Sequence, residues 1–464
     1  MANQIEKLNG IALTSVATFN GKTDDNIAKL NGLEFTGIVP VDQTERNFTT
    51  VDSGGSAIGD AGEFHNARSF GSSVAYDPDT NTIIVSFGDR SNSERPSVRV
   101  ATVSGNETDG FTLTFGNIIE VAASNTMYHS MIHYNTGQDR AMMSFMSSEG
   151  NNGVFCKAMT VRGGTDRDVT TLGNQLSVES GGSGYNQAIN SNLSSLNQAA
   201  NSGNGVLHIG YEYGDDSGHN YCRAVRISDT SDNTTVVGDR VEFQASSEEF
   251  IGLSYDETAE KNVVVYDDGT NIFARTIEHG GTNDMTITYG SEAQYGENAR
   301  LTLSEYYGGS LVAYDPDQNK HHVVFKISST GHMTYFSVSG STVTWAATSK
   351  KATLSSGVSS GNGTGGGVAY SHARDRIITF GATSTVAGSD ATFESHSFDG
   401  TDYTSVGSAV TYDDRNGKFR GTGSMRTDAS ALIGNGVVIA YHIHEGTADD
   451  TTAITMLDAG NTGS

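Results

Sequence analysis

Long apolar runs are missing from this chain of 464 residues, and with them the usual sign of a membrane-spanning helix. No stretch approaches the roughly 18 consecutive apolar residues that such a helix requires. The N-terminus, MANQIEKLNG, also lacks the apolar core of a signal peptide. We therefore expect no membrane insertion, and we expect the chain to be made and folded in a cytoplasm.

Basic residues are scarce. The chain has 28 Lys and Arg against 54 Asp and Glu, which gives a formal net charge of -26. Binding to nucleic-acid phosphates needs an excess of Lys and Arg. The charge balance therefore predicts no nucleic-acid partner.

Cysteine, tryptophan and proline are rare too. Cys156 and Cys222 are too few for a disulfide framework, and both occupy a strand position where another repeat has Ala274, which favours small buried residues over a reactive pair. Trp345 is the single tryptophan, whereas sialidase-type and WD40 propellers repeat a Trp-containing sequence. Only 4 Pro accompany 56 Gly, a composition that favours many short strands and turns over helices.

A short strand that ends in an aromatic residue recurs seven times, at intervals of 55 to 66 residues. A fixed period of this length indicates a repeat architecture. The seven copies end at Phe87, Phe145, Tyr211, Tyr266, Phe325, Phe380 and Tyr441.

Most copies follow a strand that ends in Tyr and a polar turn, as in VAYDPDTN at 74–81 and VAYDPDQN at 312–319. This pattern predicts a hairpin, and a third strand and a more variable fourth strand follow it. We therefore predict an all-β fold, a seven-bladed β-propeller of four-stranded antiparallel blades. The blades are expected to start near residues 71, 129, 193, 250, 309, 366 and 424 of a propeller domain over 36–464. The alternative is a stacked solenoid, which would need caps and shorter repeats.

The seventh unit ends with TAITMLDAGNTGS and lacks a fourth strand. An open blade would expose unpaired backbone groups. We predict that an N-terminal strand closes the ring, with RNFTTVDSG at 46–54 completing the last blade.

Upstream of that strand, residues 1–35 contain three copies of a short motif that ends in Asn-Gly. Asn-Gly pairs follow Lys-Leu, Thr-Phe and Lys-Leu at a spacing of 11 residues, and each pair predicts a tight turn. A segment this short cannot form its own core, so we expect it to dock on another chain, with several copies around an axis as one arrangement. The alternative is a flexible leader without a partner. The predicted docking residues are Leu8, Asn9, Gly10, Phe19, Asn20, Gly21, Leu30, Asn31 and Gly32.

The Lys-hydrophobic-Asn-Gly repeats, followed by a glycine-rich β domain, resemble the N-terminal segments of virion structural proteins of tailed bacteriophages, especially those of marine cyanobacterial phages. The resemblance covers about the first 35 residues. It implies a component of the tail, a fibre or the head, assembled in the host cytoplasm and in contact with other virion proteins, with the propeller displayed outward.

Two other functions are alternatives to a virion component. A receptor- or glycan-binding propeller would expose aromatic residues such as Tyr306, Tyr307 and Tyr335 near its loops. A polysaccharide-degrading enzyme would need two carboxylates that face a sugar pocket, and no pair is marked by its sequence context. No Ser-His-Asp elbow, phosphate loop or zinc spacing appears either. The sequence therefore predicts that the chain is not an enzyme and has no catalytic residue and no cofactor.

The sequence predicts no metal site. The turns with Asp77 and Asp79, and with Asp315 and Asp317, offer oxygen ligands for calcium, yet side-chain to backbone hydrogen bonds explain such turns equally well. Two histidine pairs are further candidates for metal ligation. His442 and His444 share one strand face but lack identified further ligands, and adjacent His321 and His322 should point to opposite faces.

Overall fold

The computed structural model describes six two-residue strands between residues 7 and 34 and most of the chain over 43–459. The gaps within 43–459 are 59–61, 66, 68, 78, 107–109, 124–126, 136–137, 148–152, 180–186, 194–205, 214–218, 228–234, 246–250, 281–284, 302–310, 329, 356–365, 372–373, 383–390, 414–417, 426–435 and 445–450.

Nine short strands precede the first blade. Six belong to the N-terminal repeat: β1 (Lys7–Leu8), β2 (Ile11–Ala12), β3 (Thr18–Phe19), β4 (Lys22–Thr23), β5 (Lys29–Leu30) and β6 (Leu33–Glu34). Three lie between the repeat and the blades: β7 (Thr44–Asn47), β8 (Thr49–Val51) and β9 (Glu63–His65).

Seven antiparallel sheets follow along the chain, and they are the blades. Blade 1 contains β10 (Ser69–Asp77), β11 (Thr82–Asp89), β12 (Arg95–Asn106), β13 (Gly110–Phe115) and β14 (Ile119–Glu120). Blade 2 contains β15 (Met127–Asn135), β16 (Arg140–Ser147), β17 (Gly153–Arg162), β18 (Asp168–Leu172) and β19 (Leu176–Glu179). Blade 3 contains β20 (Gln187–Leu193), β21 (Val206–Tyr213), β22 (His219–Ile227), β23 (Thr235–Val237) and β24 (Val241–Gln244). Blade 4 contains β25 (Ile251–Asp256), β26 (Lys261–Asp267), β27 (Ile272–Gly280), β28 (Thr286–Tyr289) and β29 (Ala293–Gln294).

The remaining three blades complete the set. Blade 5 contains β30 (Arg300–Leu301), β31 (Val312–Asp315), β32 (Lys320–Ile327), β33 (Thr330–Ser339), β34 (Thr342–Trp345) and β35 (Ala352–Thr353). Blade 6 contains β36 (Gly366–Ser371), β37 (Arg376–Ala382), β38 (Ala391–Phe398), β39 (Tyr403–Ser405) and β40 (Val410–Asp413). Blade 7 contains β41 (Lys418–Met425), β42 (Gly436–His444) and β43 (Thr451–Asp458). Among the described residues, 3-10 turns lie at Arg90–Asn92 and Thr348–Lys350.

The blades form a closed ring, because the first strand of each blade contacts the first strand of the next, and β41 of blade 7 contacts β10 of blade 1. Within a blade the first, second and third strands pair in chain order, and the fourth strand is split into two segments that both pair with the third. In blade 5 the first strand is also split, because β30 and β31 both pair with β32. The predicted all-β fold, a seven-bladed β-propeller of four-stranded antiparallel blades, is confirmed.

The core lies between the blades. All seven of the recurring aromatic residues in the second strands are buried, with exposed fractions of 2% or less. Apolar side chains of adjacent blades pack together at each interface, for example blades 1 and 2 through Ile84 and Phe145. Burial of these faces is the main stabilisation of a ring in which blades share no backbone ladder.

An N-terminal clasp, residues 43–65, closes the ring. Strands β7 and β9 both pair antiparallel with β43, so together they form the split fourth strand of blade 7. Strand β8, between them, pairs in parallel with β13 of blade 1. Closure by an N-terminal strand was predicted, but only part of 46–54 completes the last blade, because Thr49–Val51 extends the first blade.

Two phenylalanines of the clasp enter the core between blades 7 and 1. Phe48 and Phe64 are fully buried. The Phe64 ring lies 5.5 Å from that of Phe87 and 5.9 Å from that of Phe115, both in blade 1. The clasp therefore supplies side-chain packing as well as backbone pairing to the seam.

No helix in the described part of the chain is long and apolar enough to cross a membrane.

Candidate functional site

The N-terminal repeat forms three β-hairpins of the same register. Leu8 pairs with Ile11, Phe19 with Lys22 and Leu30 with Leu33, so each Asn-Gly pair stands between two paired strands. A two-residue connection of Asn-Gly is the strongest short hairpin signal, because both positions favour positive φ.

The predicted docking residues divide into two groups. Leu8, Phe19 and Leu30 end the first strand of their hairpins. The other six lie outside the described residues: Asn9, Gly10, Asn20, Gly21, Asn31 and Gly32. Docking by any of the nine, and the division of the chain at residue 35, stay predictions.

Gln43 marks where the chain joins the ring. Its Oε1 accepts hydrogen bonds from the backbone nitrogen of Ser395 at 2.9 Å and from the Ser395 hydroxyl at 2.6 Å, and its Nε2 donates to the Ser408 carbonyl. Both serines belong to blade 6, and the next strand, β7, lies on the outer side of blade 7. The repeat is thus connected to the outer rim of the ring and not to the innermost strands.

Tyrosines that end the first strands bind the residue five positions later. Tyr76 donates to Asn81 at 2.6 Å and Tyr314 to Asn319 at 3.0 Å. The acceptor residues have φ near +53°, a conformation that asparagine tolerates well. These bonds fix the polar turn between the first and second strands.

The same tyrosines also link adjacent blades. The Tyr314 hydroxyl lies 2.9 Å from Oγ1 of Thr258 in blade 4, and the Tyr370 hydroxyl of blade 6 lies 2.7 Å from Oδ2 of Asp317 in blade 5. In blade 2, Tyr134 interacts with Asp77 of blade 1, and burial with this contact raises its pKa above the usual range. The phenols therefore stay protonated, and their hydroxyls join adjacent blades; Tyr314, whose single proton goes to Asn319, accepts from Thr258 across the junction.

Three carboxylates meet at the junction of blades 5 and 6. One oxygen each from Asp315, Asp317 and Asp375 lie within 4.8 Å of one another. The Tyr370 hydroxyl lies 2.9 Å from Oδ1 of Asp375 and 2.7 Å from Oδ2 of Asp317, but a phenol has only one proton to donate. Burial raises the pKa of Asp375, and the charges of Asp315 and Asp317 raise it further, which favours a proton on that carboxyl.

Hydrogen bonds to backbone account for the shape of the Asp-rich turns. Asp315 Oδ1 accepts from the nitrogens of Asp317 and Gln318 at 2.9 and 3.0 Å, and Asp77 Oδ1 accepts from Asp79 at 2.9 Å. Three carboxylates fall short of the six to eight oxygen ligands that calcium takes. We assign no cation to this cluster.

Two adjacent histidines point to opposite neighbours, as their spacing on a strand predicted. His321 contacts blade 4, with Nδ1 at 2.9 Å from Ser254 and Nε2 at 3.3 Å from Asp256. His322 contacts blade 6, with Nδ1 at 2.8 Å from the Tyr403 hydroxyl. Both are fully buried, and burial lowers the pKa of each. The contacts of His321 with Ser254 and Asp256 therefore join blades 4 and 5 within the core.

The side chains of His442 and the strand-ending His444 lie outside what the structure describes.

Tyr335 does not fit the glycan-binding hypothesis. It was expected to be exposed near a loop, but it is 9% exposed because its ring packs at 4.8 Å from Phe398 and its hydroxyl donates to the Thr401 carbonyl. Tyr306 and Tyr307 fall outside the described residues. Their exposure stays a prediction.

Comparisons with known proteins describe the architecture. No family model and no curated protein matches the chain. Solved propellers do match it. An ulvan lyase from a polysaccharide lyase family is 10% identical, with 87% of this chain and 97% of that chain covered and a TM-score of 0.43. The hemagglutinin-neuraminidase ectodomain of parainfluenza virus 5 is 8% identical, with 91% and 85% covered and a TM-score of 0.44.

A sialidase of Trypanosoma rangeli is 10% identical, with 90% of this chain but 58% of that chain covered and a TM-score of 0.41. At this similarity the matches show the fold alone. They nevertheless contradict the prediction that the chain is not an enzyme, which rested on missing sequence motifs, because enzymes are among the propellers that match. That prediction was wrong and is withdrawn.

Proposed function

We propose that this chain is a component of a virion, attached to the particle by its N-terminal repeat and displaying the propeller outward. The observation that carries the proposal is the set of three hairpins with the same strand pairing. They lie upstream of the strands that close the ring. The resemblance of the repeat to the N-terminal segments of tailed-phage virion proteins supports the same conclusion.

The hairpins are too small to be stable alone. Each pairs two residues with two, and an isolated hairpin is marginal in water even when it is longer. Two of the three carry an apolar pair beside the turn, Leu8 with Ile11 and Leu30 with Leu33. Such a segment gains stability by packing against a partner, and the partners we propose are other virion proteins or further copies of this chain.

The contacts described at the closure of the ring involve none of these hairpins. Gln43 and the clasp that follows it make the contacts to blades 6, 7 and 1 that close the seam. Removal of residues 1–35 should therefore leave a folded propeller and abolish attachment. Assembly is proposed to take place in the host cytoplasm.

The test compares three chains produced during infection and recovered with particles purified on a density gradient. The first is the full chain, the second lacks residues 1–35, and the third carries Gly10→Val, Gly21→Val and Gly32→Val, which keep the length but disfavour the tight turn that each Asn-Gly pair predicts. Ser15→Val with Asn26→Val, placed between hairpins, is the matched control.

Attachment of the full chain and the control, together with loss of attachment in the other two, supports the proposal. The truncated chain must keep the circular dichroism and unfolding midpoint of the full chain. Full attachment of the truncated chain would overturn the proposal and place the binding site on the propeller, where a glycan array and a viscosity assay on host polysaccharide would then test the alternative of glycan binding or degradation.

A further inference from the structure

His208 is a buried histidine without a hydrogen bond. It lies in β21 of blade 3 with an exposed fraction of 0%, and neither Nδ1 nor Nε2 has a hydrogen-bond partner in the described structure. Buried polar atoms in native proteins are almost always paired, and an exception indicates water or an ion that completes the pairing. A water molecule or an ion beside His208 would supply such a partner.

A second histidine lies against it from the next blade. The ring of His279, in β27 of blade 4, has its centroid 4.6 Å from that of His208, with the planes tilted by 46°. His279 is half-buried, whereas His208 is fully buried, so the pair reaches from the core towards solvent.

Asn262, in β26 of the same blade 4, adds an oxygen. Its Nδ2 lies 3.4 Å from Nε2 of His279, and its Oδ1 is fully buried and has no partner in the region described. Because the two ends of an amide are assigned and not observed, either its oxygen or its nitrogen can face the ring. Two imidazoles and one end of the Asn262 amide, which can be its oxygen, thus lie together at one blade interface.

We infer that His208 and His279, with the Asn262 amide oxygen, bind a divalent transition-metal ion between blades 3 and 4. Imidazole nitrogen is a preferred ligand of zinc and its neighbours, and three protein ligands with a water as the fourth is a known arrangement. Two imidazoles that share one ion through bonds of about 2.0–2.1 Å hold their centroids roughly 5 Å apart, close to the observed separation.

The protonation state agrees with this assignment. Burial lowers the pKa of His208 well below its ordinary value, and the neighbouring His279 lowers it further. The imidazole is therefore neutral at pH 7, which is the form that ligates metals. A buried water molecule is the competing occupant, and it would give the ring nitrogens partners without any affinity for metal.

The test is a titration of the untagged full chain, freed of metal by a chelator, with Zn²⁺ alone. We expect one equivalent to bind and the unfolding temperature to rise. His208→Gln and the half-buried His279→Gln should each weaken binding at least tenfold. His442→Gln with His444→Gln, a control on the other histidine pair that the sequence suggested, should keep the stoichiometry and affinity.

Each other result overturns the assignment. A wild-type chain that binds no Zn²⁺ would mean that water occupies the site. Binding that survives both His208→Gln and His279→Gln but disappears in the His442→Gln, His444→Gln control would place the ion in blade 7. If His208→Gln fails to fold, His279→Gln decides the question, since its side chain is only half-buried.

Discussion

The Tyr314 hydroxyl donates to Oδ1 of Asn319, five residues later, at 3.0 Å. Tyr76 and Asn81 make the same bond in blade 1. In blade 4 the corresponding residues are Tyr255 and Glu260, but the Tyr255 hydroxyl has no hydrogen-bond partner among the described residues.

Glu260→Asn should therefore stabilise the protein. Glu260 has φ of +52°, which asparagine adopts more readily than glutamate, and Asn at this position would offer Tyr255 the acceptor that Asn81 and Asn319 provide. We expect the free energy of unfolding to rise by about 1 kcal/mol, measured as a higher midpoint of urea unfolding. Glu260→Gln removes the same charge without the shorter side chain, and an equal gain in that variant would show that charge, not geometry, is the cause.

The sequence was informative where the repeat is regular. Residues such as Phe87 and Tyr441 recur at nearly constant spacing because each blade buries the same position against its neighbour, so fold and blade number could be predicted. The role of Thr49–Val51 could not, because a three-residue strand that pairs in parallel with a distant blade leaves no periodic signal. The contact of His208 with His279 was missed for a related reason, since they lie on different blades and nothing in their spacing links them.

Phe64→Ala should weaken the closure of the ring. Phe64 is fully buried against Phe87 and Phe115, and truncation of a buried phenylalanine costs about 3–5 kcal/mol. Urea unfolding followed by circular dichroism measures the loss. Phe64→Leu, which keeps most of the volume, should cost far less, and removal of residues 1–35 should cost nothing. A small effect of Phe64→Ala would show that the clasp does not limit stability.

Asp458→Asn should destabilise the same seam from the other side. The fully buried Asp458 carboxylate accepts hydrogen bonds from Arg46 of the clasp at 2.8 Å and from Arg374 of blade 6 at 3.1 Å. Neutralising it removes a buried charge that both arginines contact, and we expect a loss of about 3 kcal/mol in the free energy of unfolding. Asp402→Asn, at the exposed pair with Lys350, is the control and should have little effect. Equal effects of the two variants would contradict the importance of burial.

Buried histidines should make the metal-free protein sensitive to acid. The folded-state pKa of His208 lies well below its ordinary value of 6.5, so the unfolded chain binds the additional proton as the pH falls. The free energy of unfolding therefore does not depend on this histidine above about pH 6.5, and below that pH it falls by up to about 1.4 kcal/mol per pH unit.

Urea midpoints between pH 7 and 5, with a chelator present, test this dependence. His208→Gln should flatten the loss of stability with falling pH, because it removes a group whose folded-state pKa is lowered by burial. If the urea midpoint of His208→Gln depends on pH as strongly as that of the wild type, the His208 imidazole does not remain neutral in the folded protein.

The two cysteines should be inert in the native protein. Cys156 and Cys222 are both fully buried, in third strands of adjacent blades, and burial raises the pKa of each to about 12. Only the thiolate reacts with a disulfide reagent, so at pH 8 neither the charge state nor access permits reaction. We expect no reaction of the native chain with such a reagent over minutes and two equivalents in 6 M guanidinium chloride. Cys156→Ala and Cys222→Ala should each leave one equivalent in denaturant. Rapid labelling of one cysteine under native conditions would mean that its blade interface opens, and the variant that lacks the reactive thiol would identify which interface it is.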